Sequence, residues 1–112
     1  MENFETINVN GAFVIVAHLI CPTFLEAKEF QEIINEQIIS GKTKLVVDLN
    51  MCDHIDSTFL GEIINSFKKI NCIGGTLRIV EPASPLQDIF TQTNTRRSFD
   101  LYKTREEALK NF

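Results

Sequence analysis

Short apolar runs alternate with polar turns along the chain, and their spacing predicts strands and helices in turn. Residues 6–9 and 12–17 are β-prone runs that flank Asn10 and Gly11. A type I′ turn needs positive φ at both central residues, which Asn and Gly tolerate best. The chain is therefore predicted to open with an antiparallel β-hairpin.

A helix is predicted to follow this hairpin. Thr23 and Glu26 have the spacing of a capping box, in which the two side chains satisfy backbone N–H groups of the first turn. Gly41 is a natural end for the helix. Between these signals, apolar residues recur at the spacing of a buried helical stripe: Ala27, Phe30, Ile34 and Ile38.

The middle of the chain predicts a strand, a helix and a second strand. Residues 44–49 are a short apolar run typical of a strand that is covered on both faces, and residues 76–80 predict another short strand. Between them, Gly74 and Gly75 mark the end of a helix. That helix carries apolar residues at helical spacing: Leu60, Ile63, Ile64, Phe67 and Ile70.

Two further capping boxes predict helices near the C-terminus. One opens at Ser84, with Pro85 at the first helical position, and the other opens at Thr104. Residues 98–102, between the two helices, predict a last strand. The final helix is expected to direct three apolar side chains inward: Ala108, Leu109 and Phe112.

The predicted order of elements is β-β-α-β-α-β-α-β-α, within a single α/β domain of residues 1–112. Strands that alternate with helices imply right-handed crossovers. We therefore expect a mixed, largely parallel sheet of about five strands with four helices. A chain of 112 residues can bury one such core without disulfides or metals.

Composition and charge narrow the function classes. The chain is 44% hydrophobic and 23% charged, with a formal net charge of -4. An acidic protein lacks the basic footprint that binding to nucleic acid or to an anionic membrane requires. No apolar run has the length of a transmembrane helix, and the N-terminus does not resemble a signal peptide. The wide spacing of Cys21, Cys52 and Cys72 favours reduced thiols and a cytoplasmic protein.

The candidate chemistry lies in a polar loop, residues 50–58, that leads from a buried strand directly into a helix. In α/β folds, functional groups tend to gather at the carboxyl ends of strands. Asp56, Ser57 and Thr58 all favour helix N-termini, so the pattern alone indicates capping. Phosphorylation is the second interpretation. A phosphate adds about −1.5 to −2 charge, which a helix N-terminus tolerates and the neighbouring Asp56 repels.

Enzymatic chemistry at this loop has weaker support. Asp53, His54 and Ser57 are the residue types of a hydrolase triad, but no Gly-x-Ser-x-Gly elbow surrounds the serine. Cys52 is expected to be a small buried side chain rather than a reactive thiol. No nucleotide-binding or metal-binding motif is present, so we expect no cofactor, no metal site and no catalytic activity.

Several segments resemble the signature of STAS domains, the family of the anti-sigma factor antagonists. Residues 45–49 and then 54–61, His-Ile-Asp-Ser-Thr-Phe-Leu-Gly, are similar to the family's hydrophobic strand, short loop and Asp-Ser-Ser/Thr-Gly-Leu-Gly helix start. Residues 69–77 resemble the family's helix end, Gly-Gly turn and next strand. Residues 82–90 resemble its following loop and helix.

This resemblance implies a STAS fold and a regulatory phosphoacceptor at Ser57, with Thr58 as the second choice. The expected partner of the unphosphorylated form is an anti-sigma factor with serine kinase activity, whose binding releases a sigma factor for transcription. Phosphorylation by that kinase ends binding, and a phosphatase acting on phospho-Ser57 restores it. The resemblance also implies a partner-binding surface made by His54, Asp56, Ser57, Thr58, Phe59 and Glu62.

Three places depart from the family pattern. Phe59 stands where the family has Gly, so we expect added bulk or an apolar contact facing the partner. Residues 20–22 stand where Leu-Asp is usual, so an acidic partner-facing group is expected to be missing. Asn94 stands near a common Gly, which is a mild change because Asn tolerates the left-handed conformation.

An alternative function belongs to the same fold. The chain would then be a constitutive STAS interaction or scaffold subunit, in a transporter accessory protein or a signalling complex. Ser57 would only cap its helix, and no phosphoswitch would operate. The exposed edge of the hairpin also permits a homodimer, because an unpaired strand edge can pair with a second chain.

Overall fold

In a computed structural model of the protein, the chain opens with the predicted hairpin. β1 (Phe4–Val9) and β2 (Ala12–Ala17) pair in antiparallel orientation. The φ angle is 49° at Asn10 and 85° at Gly11, so both central residues have the positive φ that the type I′ turn requires.

The remaining elements complete a five-stranded sheet with helices between its strands. The structure describes residues 3–20, 22–53, 55–82, 100–110 and 112. After the hairpin follow α1 (Phe24–Ile39), β3 (Lys44–Asp48), α2 (Ser57–Cys72), β4 (Thr76–Val80), β5 (Asp100–Tyr102) and α3 (Arg105–Leu109). The strand order is β1-β2-β3-β4-β5, and the pairs β2–β3, β3–β4 and β4–β5 are parallel. The predicted α/β class and five-stranded mixed sheet are therefore confirmed.

The described residues contain three helices. The additional helix predicted to open at Ser84 lies outside these residues. The last strand, predicted over residues 98–102, is observed from Asp100 onward. Among the helices that the structure describes, none combines the length and the apolar character needed to cross a membrane.

Local sequence signals define the helix ends as expected. Thr23 is the N-cap of α1, and both halves of its capping box with Glu26 are formed. At the end of α2, a Cβ atom on Gly75 would lie 2.8 Å from the backbone oxygen of Thr43. Only glycine permits this close approach, which brings the chain into β4 beside the start of β3.

The strands direct alternate side chains to the two faces of the sheet. One face packs against α1 and α2 through Phe13, Ile15, Leu45, Val47, Leu77 and Ile79. The opposite face packs around Ala108 of α3 through Val14, Val16, Val46 and Val80. Because β2 and most of β3 are buried on both faces, they form continuous apolar runs in the sequence.

Two arginines hold α3 against its face of the sheet. Arg78 Nη1 donates to the carbonyl oxygen of Ala108 at 3.0 Å, and its guanidinium lies 4.3 Å from the ring centre of Phe112. Arg105 Nε lies 3.0 Å from Oδ2 of the buried Asp48 at the end of β3. Ala108 is fully buried, which confirms its predicted inward position.

Three phenylalanines form the centre of the core between β1, α1 and α2. The ring centroids of Phe4 and Phe59 are 6.2 Å apart, and those of Phe30 and Phe59 are 5.4 Å apart. Both Phe30 and Phe59 are 0% exposed. Aromatic pairs at these distances contribute beyond the area they bury. Phe59 therefore ties the first turn of α2 to the hairpin and to α1.

We predict that Phe59→Ala destabilises the protein by about 3–5 kcal/mol, because it opens a cavity at the centre of the aromatic cluster. Phe24→Ala is the matched control, since that ring is 63% exposed, and it should change the stability by only about 0.5 kcal/mol. Urea unfolding followed by circular dichroism measures both values. Equal stability of the two variants would contradict the structural role assigned to Phe59.

Candidate functional site

Buried side chains anchor the loop between β3 and α2, residues 49–56. Cys52 is 1% exposed and Ile55 is 4% exposed, which confirms the expected burial of Cys52. In the same loop, Met51 and Asp53 are exposed. The buried side chains therefore hold the loop against the core, while Met51 and Asp53 are exposed to solvent.

This loop lies against the segment that leads into α1. The backbone N–H of Asp53 donates to the carbonyl oxygen of Ile20 at 2.7 Å, and that of Asp56 donates to the carbonyl oxygen of Pro22 at 3.2 Å. These backbone bonds join two segments that are far apart in sequence. They place the N-termini of α1 and α2 side by side at the carboxyl end of the sheet.

One carboxylate caps both helices. Asp56 Oδ1 accepts from the backbone N–H of Phe59 at 2.8 Å, and Asp56 Oδ2 accepts from that of Phe24 at 2.9 Å. Phe59 lies in the first turn of α2 and Phe24 is the first residue of α1, so neither N–H has an acceptor in its own helix. The carboxylate also lies at the positive ends of two helix dipoles, which favour an anion.

Ser57 and Thr58 are the first residues of α2, directly after this cap, and both are exposed. The first intrahelical bond runs from the N–H of Leu60 to the carbonyl oxygen of Asp56, at 3.0 Å. The N–H groups of Ser57 and Thr58 therefore precede the helical hydrogen-bond ladder. The first turn, residues 57–60, contains no acidic side chain of its own. The predicted placement of Asp56, Ser57 and Thr58 at a helix N-terminus is confirmed.

The structure does not bring every predicted partner-binding residue to this surface. Phe59 is 0% exposed, and its ring packs against Phe4 and Phe30. The apolar contact with a partner that the sequence suggested for Phe59 is therefore corrected to a contact within the core. Glu62 is partly buried on α2, and within the described part of the chain its buried Oε1 has no hydrogen-bond partner.

Some residues singled out from the sequence lie outside the described residues, namely Cys21, His54 and Asn94. Of the triad considered above, the structure places Asp53 and Ser57, and both are exposed. A triad base is normally oriented by a buried acid, so an exposed Asp53 does not favour that arrangement.

Exposed apolar side chains that the sequence pattern does not predict as part of the site lie at the segment beside Asp56. Ile20 is 66% exposed, Phe24 is 63% exposed and Leu25 is 72% exposed. A signal existed for Leu25, because helical spacing places it opposite the buried stripe that contains Ala27 and Ile34. No local signal places Ile20 or Phe24 near Ser57, because their position depends on the packing of α1 against α2.

A separate pocket of about 300 Å³ lies where β3 and β4 end, beside α3. Asp48, Lys103, Arg105 and Glu106 contribute balanced charges to its wall. Asp48 is already paired with Arg105 and also accepts from the N–H of Asn50 at 2.9 Å, so the buried charge is satisfied within the chain. Across the described ranges, no group of three or more His, Cys, Asp or Glu residues is arranged to hold a metal ion.

Comparisons with known proteins agree with this fold. Residues 6–108 match the family model of the STAS domain. A Thermotoga neapolitana protein, named as a candidate anti-sigma factor antagonist, is 32% identical over 81 residues, which cover 72% of this chain and 68% of that protein.

Solved structures with the same architecture include two from bacteria. A candidate anti-sigma factor antagonist from Thermotoga maritima has a TM-score of 0.83 at 27% identity, over 96% of this chain and 92% of that one. The Bacillus cell fate determinant SpoIIAA in its phosphorylated form has a TM-score of 0.74 at 17% identity, over 95% of this chain and 96% of that one. This second likeness concerns the fold alone.

We predict that Asp56→Ala destabilises the protein by about 1–3 kcal/mol, because two helix N–H groups lose their acceptor. Asp56→Asn should recover part of this loss, since an amide keeps one acceptor oxygen and Asn is a good N-cap. Asp53→Ala removes an exposed carboxylate from the same loop and should cost only about 0.5 kcal/mol. Urea unfolding measures the free energy of unfolding of the three variants. If Asp56→Ala is as stable as Asp53→Ala, the shared cap does not hold the two helices.

Proposed function

This chain belongs to the STAS domain family, and we propose that it is an anti-sigma factor antagonist controlled by phosphorylation of Ser57. In its unphosphorylated form it binds an anti-sigma factor that is also a serine kinase, and a sigma factor is released for transcription. Phosphorylation of Ser57 ends binding, and a phosphatase reverses it. The observation that carries this proposal is the exposed Ser57 at the first position of α2, directly after the capping Asp56.

The position of Ser57 allows a phosphate without unfolding the protein. The N–H groups of Ser57 and Thr58 precede the first intrahelical hydrogen bond, so they are available to an anion. The first turn of α2 carries no other acidic side chain that would repel it. A phosphate with about −1.5 to −2 charge is therefore compatible with this helix end.

The same position makes the phosphate disruptive to a bound partner. Asp56 already supplies a negative charge beside Ser57, so phosphorylation concentrates charge on a small part of the surface. A partner packed over this helix end would have to remove water from an unpaired phosphate. Such desolvation costs several kcal/mol in rough terms, which is enough to end a typical regulatory interaction.

Thr58 is the second candidate acceptor, because it is exposed and follows Ser57 directly. Ser57 is preferred because it is the residue after the aspartate in the segment that resembles the family signature. The chain acts by binding rather than by catalysis in this proposal. The alternative, a constitutive interaction subunit, predicts that neither hydroxyl is phosphorylated.

We predict that a serine kinase of the anti-sigma factor type from the same genome, incubated with this protein and ATP, adds one phosphate at Ser57. Mass spectrometry of peptides locates the phosphate. Ser57→Ala should abolish the modification, whereas Thr58→Ala should retain it, because both variants preserve the Asp56 cap. Absence of phosphate from both positions with every such kinase would favour the constitutive subunit.

Substitution of Ser57 by aspartate should imitate the charged state in part. We predict that Ser57→Asp weakens binding to that kinase at least ~10-fold, because the new carboxylate loses its water in the complex. The Tm should shift by less than about 4 °C, since the helix N-terminus accepts the anion. Ser57→Ala is the control and should bind like the wild type. Loss of the folded state in Ser57→Asp would show that Ser57 is structural.

A further inference from the structure

The buried carboxylate of Asp48 connects α3 to the loop, residues 49–56, that leads to Ser57. Its Oδ2 lies 3.0 Å from Nε of Arg105 in α3, and its Oδ1 accepts from the backbone N–H of Asn50 at 2.9 Å. Each oxygen therefore has its own partner, one in α3 and one in the loop. A single side chain joins two parts of the molecule that are far apart in sequence.

Asp48 shapes the start of the loop. It is the last residue of β3, and its bond to the N–H of Asn50 spans two residues, as in an Asx turn. Backbone bonds continue this turn, because the N–H of Leu49 donates to the carbonyl oxygen of Val80 at 3.1 Å and the N–H of Cys52 donates to that of Leu49 at 3.0 Å. The direction in which the loop leaves the sheet therefore depends on the orientation of the Asp48 side chain.

The pairing with Arg105 fixes that orientation. The side chain of Asp48 is 8% exposed and that of Arg105 is 37% exposed. A buried carboxylate needs a counter-charge, since its removal from water is unfavourable, and within the described part of the chain Arg105 supplies it. Both side chains line the pocket of about 300 Å³, so the carboxylate has room to turn toward water once Arg105 is removed. That turn would release the N–H of Asn50.

Ser57 directly follows the far end of the same loop. Two backbone hydrogen bonds to the segment 20–22 hold that far end, whereas the near end depends on Asp48. Phosphoryl transfer requires the attacking hydroxyl to lie roughly 3–3.5 Å from the reacting atom and in line with the leaving group, and a misplacement of about 1 Å can cost on the order of 100-fold in rate. A loop whose near end is loose therefore presents the hydroxyl in the reactive position for less of the time.

Resting on the function proposed above, we infer that Arg105 is a positioning residue for the phosphorylation of Ser57. It acts through Asp48, whose carboxylate fixes the start of the loop. Because α2 packs on one face of the sheet and α3 on the other, Arg105 acts on the serine from the opposite face. The C-terminal helix thereby controls how efficiently the serine is modified, without supplying affinity for the kinase.

The test compares purified variants as substrates of the kinase that modifies Ser57, with ATP in excess. Arg105→Ala should lower kcat about tenfold and change KM for the protein less than about twofold, because the hydroxyl is less well placed while the contact surface is retained. Arg105→Lys should recover most of this loss, since an ammonium group can still pair with Asp48. The double variant Arg105→Ala with Asp48→Asn should also recover, because a neutral amide needs no counter-charge and still accepts from the N–H of Asn50.

Arg78→Ala is the matched control, because Arg78 also holds α3. Its Nη1 donates to the carbonyl oxygens of Ala108 at 3.0 Å and Lys110 at 2.9 Å. This variant should lower the Tm, while its kcat changes less than about twofold, since the pair of Asp48 with Arg105 is retained. A role of Arg105 in overall stability alone would not separate the two variants.

Hydrogen exchange of the free protein gives a readout that does not involve the kinase. Peptides that cover residues 49–56 should exchange at least about threefold faster in Arg105→Ala than in the wild type, because the N–H of Asn50 loses its acceptor. The same peptides should exchange at the wild-type rate in Arg78→Ala. If Arg105→Ala does not fold, Arg105→Gln replaces it and should show a loss of kcat in the same direction.

Three results would overturn the inference. If Ser57 of Arg105→Ala is phosphorylated at the wild-type rate, the positioning role is wrong and the proposed function stands. If Arg105→Ala and Arg78→Ala lower kcat equally, or the double variant does not recover, the effect is a general loosening of α3 rather than an action through Asp48. If no such kinase phosphorylates the wild-type chain, the proposed function fails and the role of Arg105 in phosphorylation fails with it.

Discussion

The shared cap at Asp56 is the interaction on which the arrangement of this site depends. Each oxygen of the carboxylate accepts an N–H from a different helix, Phe59 of α2 and Phe24 of α1. Helix ends normally satisfy such groups separately, with a side chain of their own. Here one side chain satisfies both, so the two N-termini must lie side by side. The position of Ser57 relative to α1 follows directly from that constraint.

The core and the cap are joined through a single residue. The backbone N–H of Phe59 faces the carboxylate of Asp56, whereas its ring completes the cluster with Phe4 and Phe30. Core packing therefore sets the rotation of the first turn of α2, and with this rotation both Ser57 and Thr58 face solvent. The phenylalanine in place of the family's glycine strengthens the interior of the site, while Ser57 and Thr58 keep the exposed positions.

Sequence signals that span only a few residues, such as turns and capping boxes, predict most of the fold. The Asn10-Gly11 turn, the capping box at Thr23 and the Gly74-Gly75 turn are local codes, and the structure contains all of them. The cap of α2 by Asp56 was also within reach of the sequence. Its second bond, to Phe24, was not, because it joins residues 32 positions apart and exists only once both helices have packed. The inward ring of Phe59 depends on the same packing.

The double role of Asp56 has a consequence for any anion attached at Ser57. The carboxylate and a phosphate would lie at the same helix end, where the two negative charges repel each other. Because the carboxylate also accepts from the N–H of Phe24, that repulsion acts on a group that holds the start of α1 as well as the start of α2. A charge added at Ser57 of α2 therefore acts on the carboxylate that also caps α1. Phe24 and Leu25, the exposed apolar residues at the start of α1, therefore lie beside the carboxylate that a charge at Ser57 would repel.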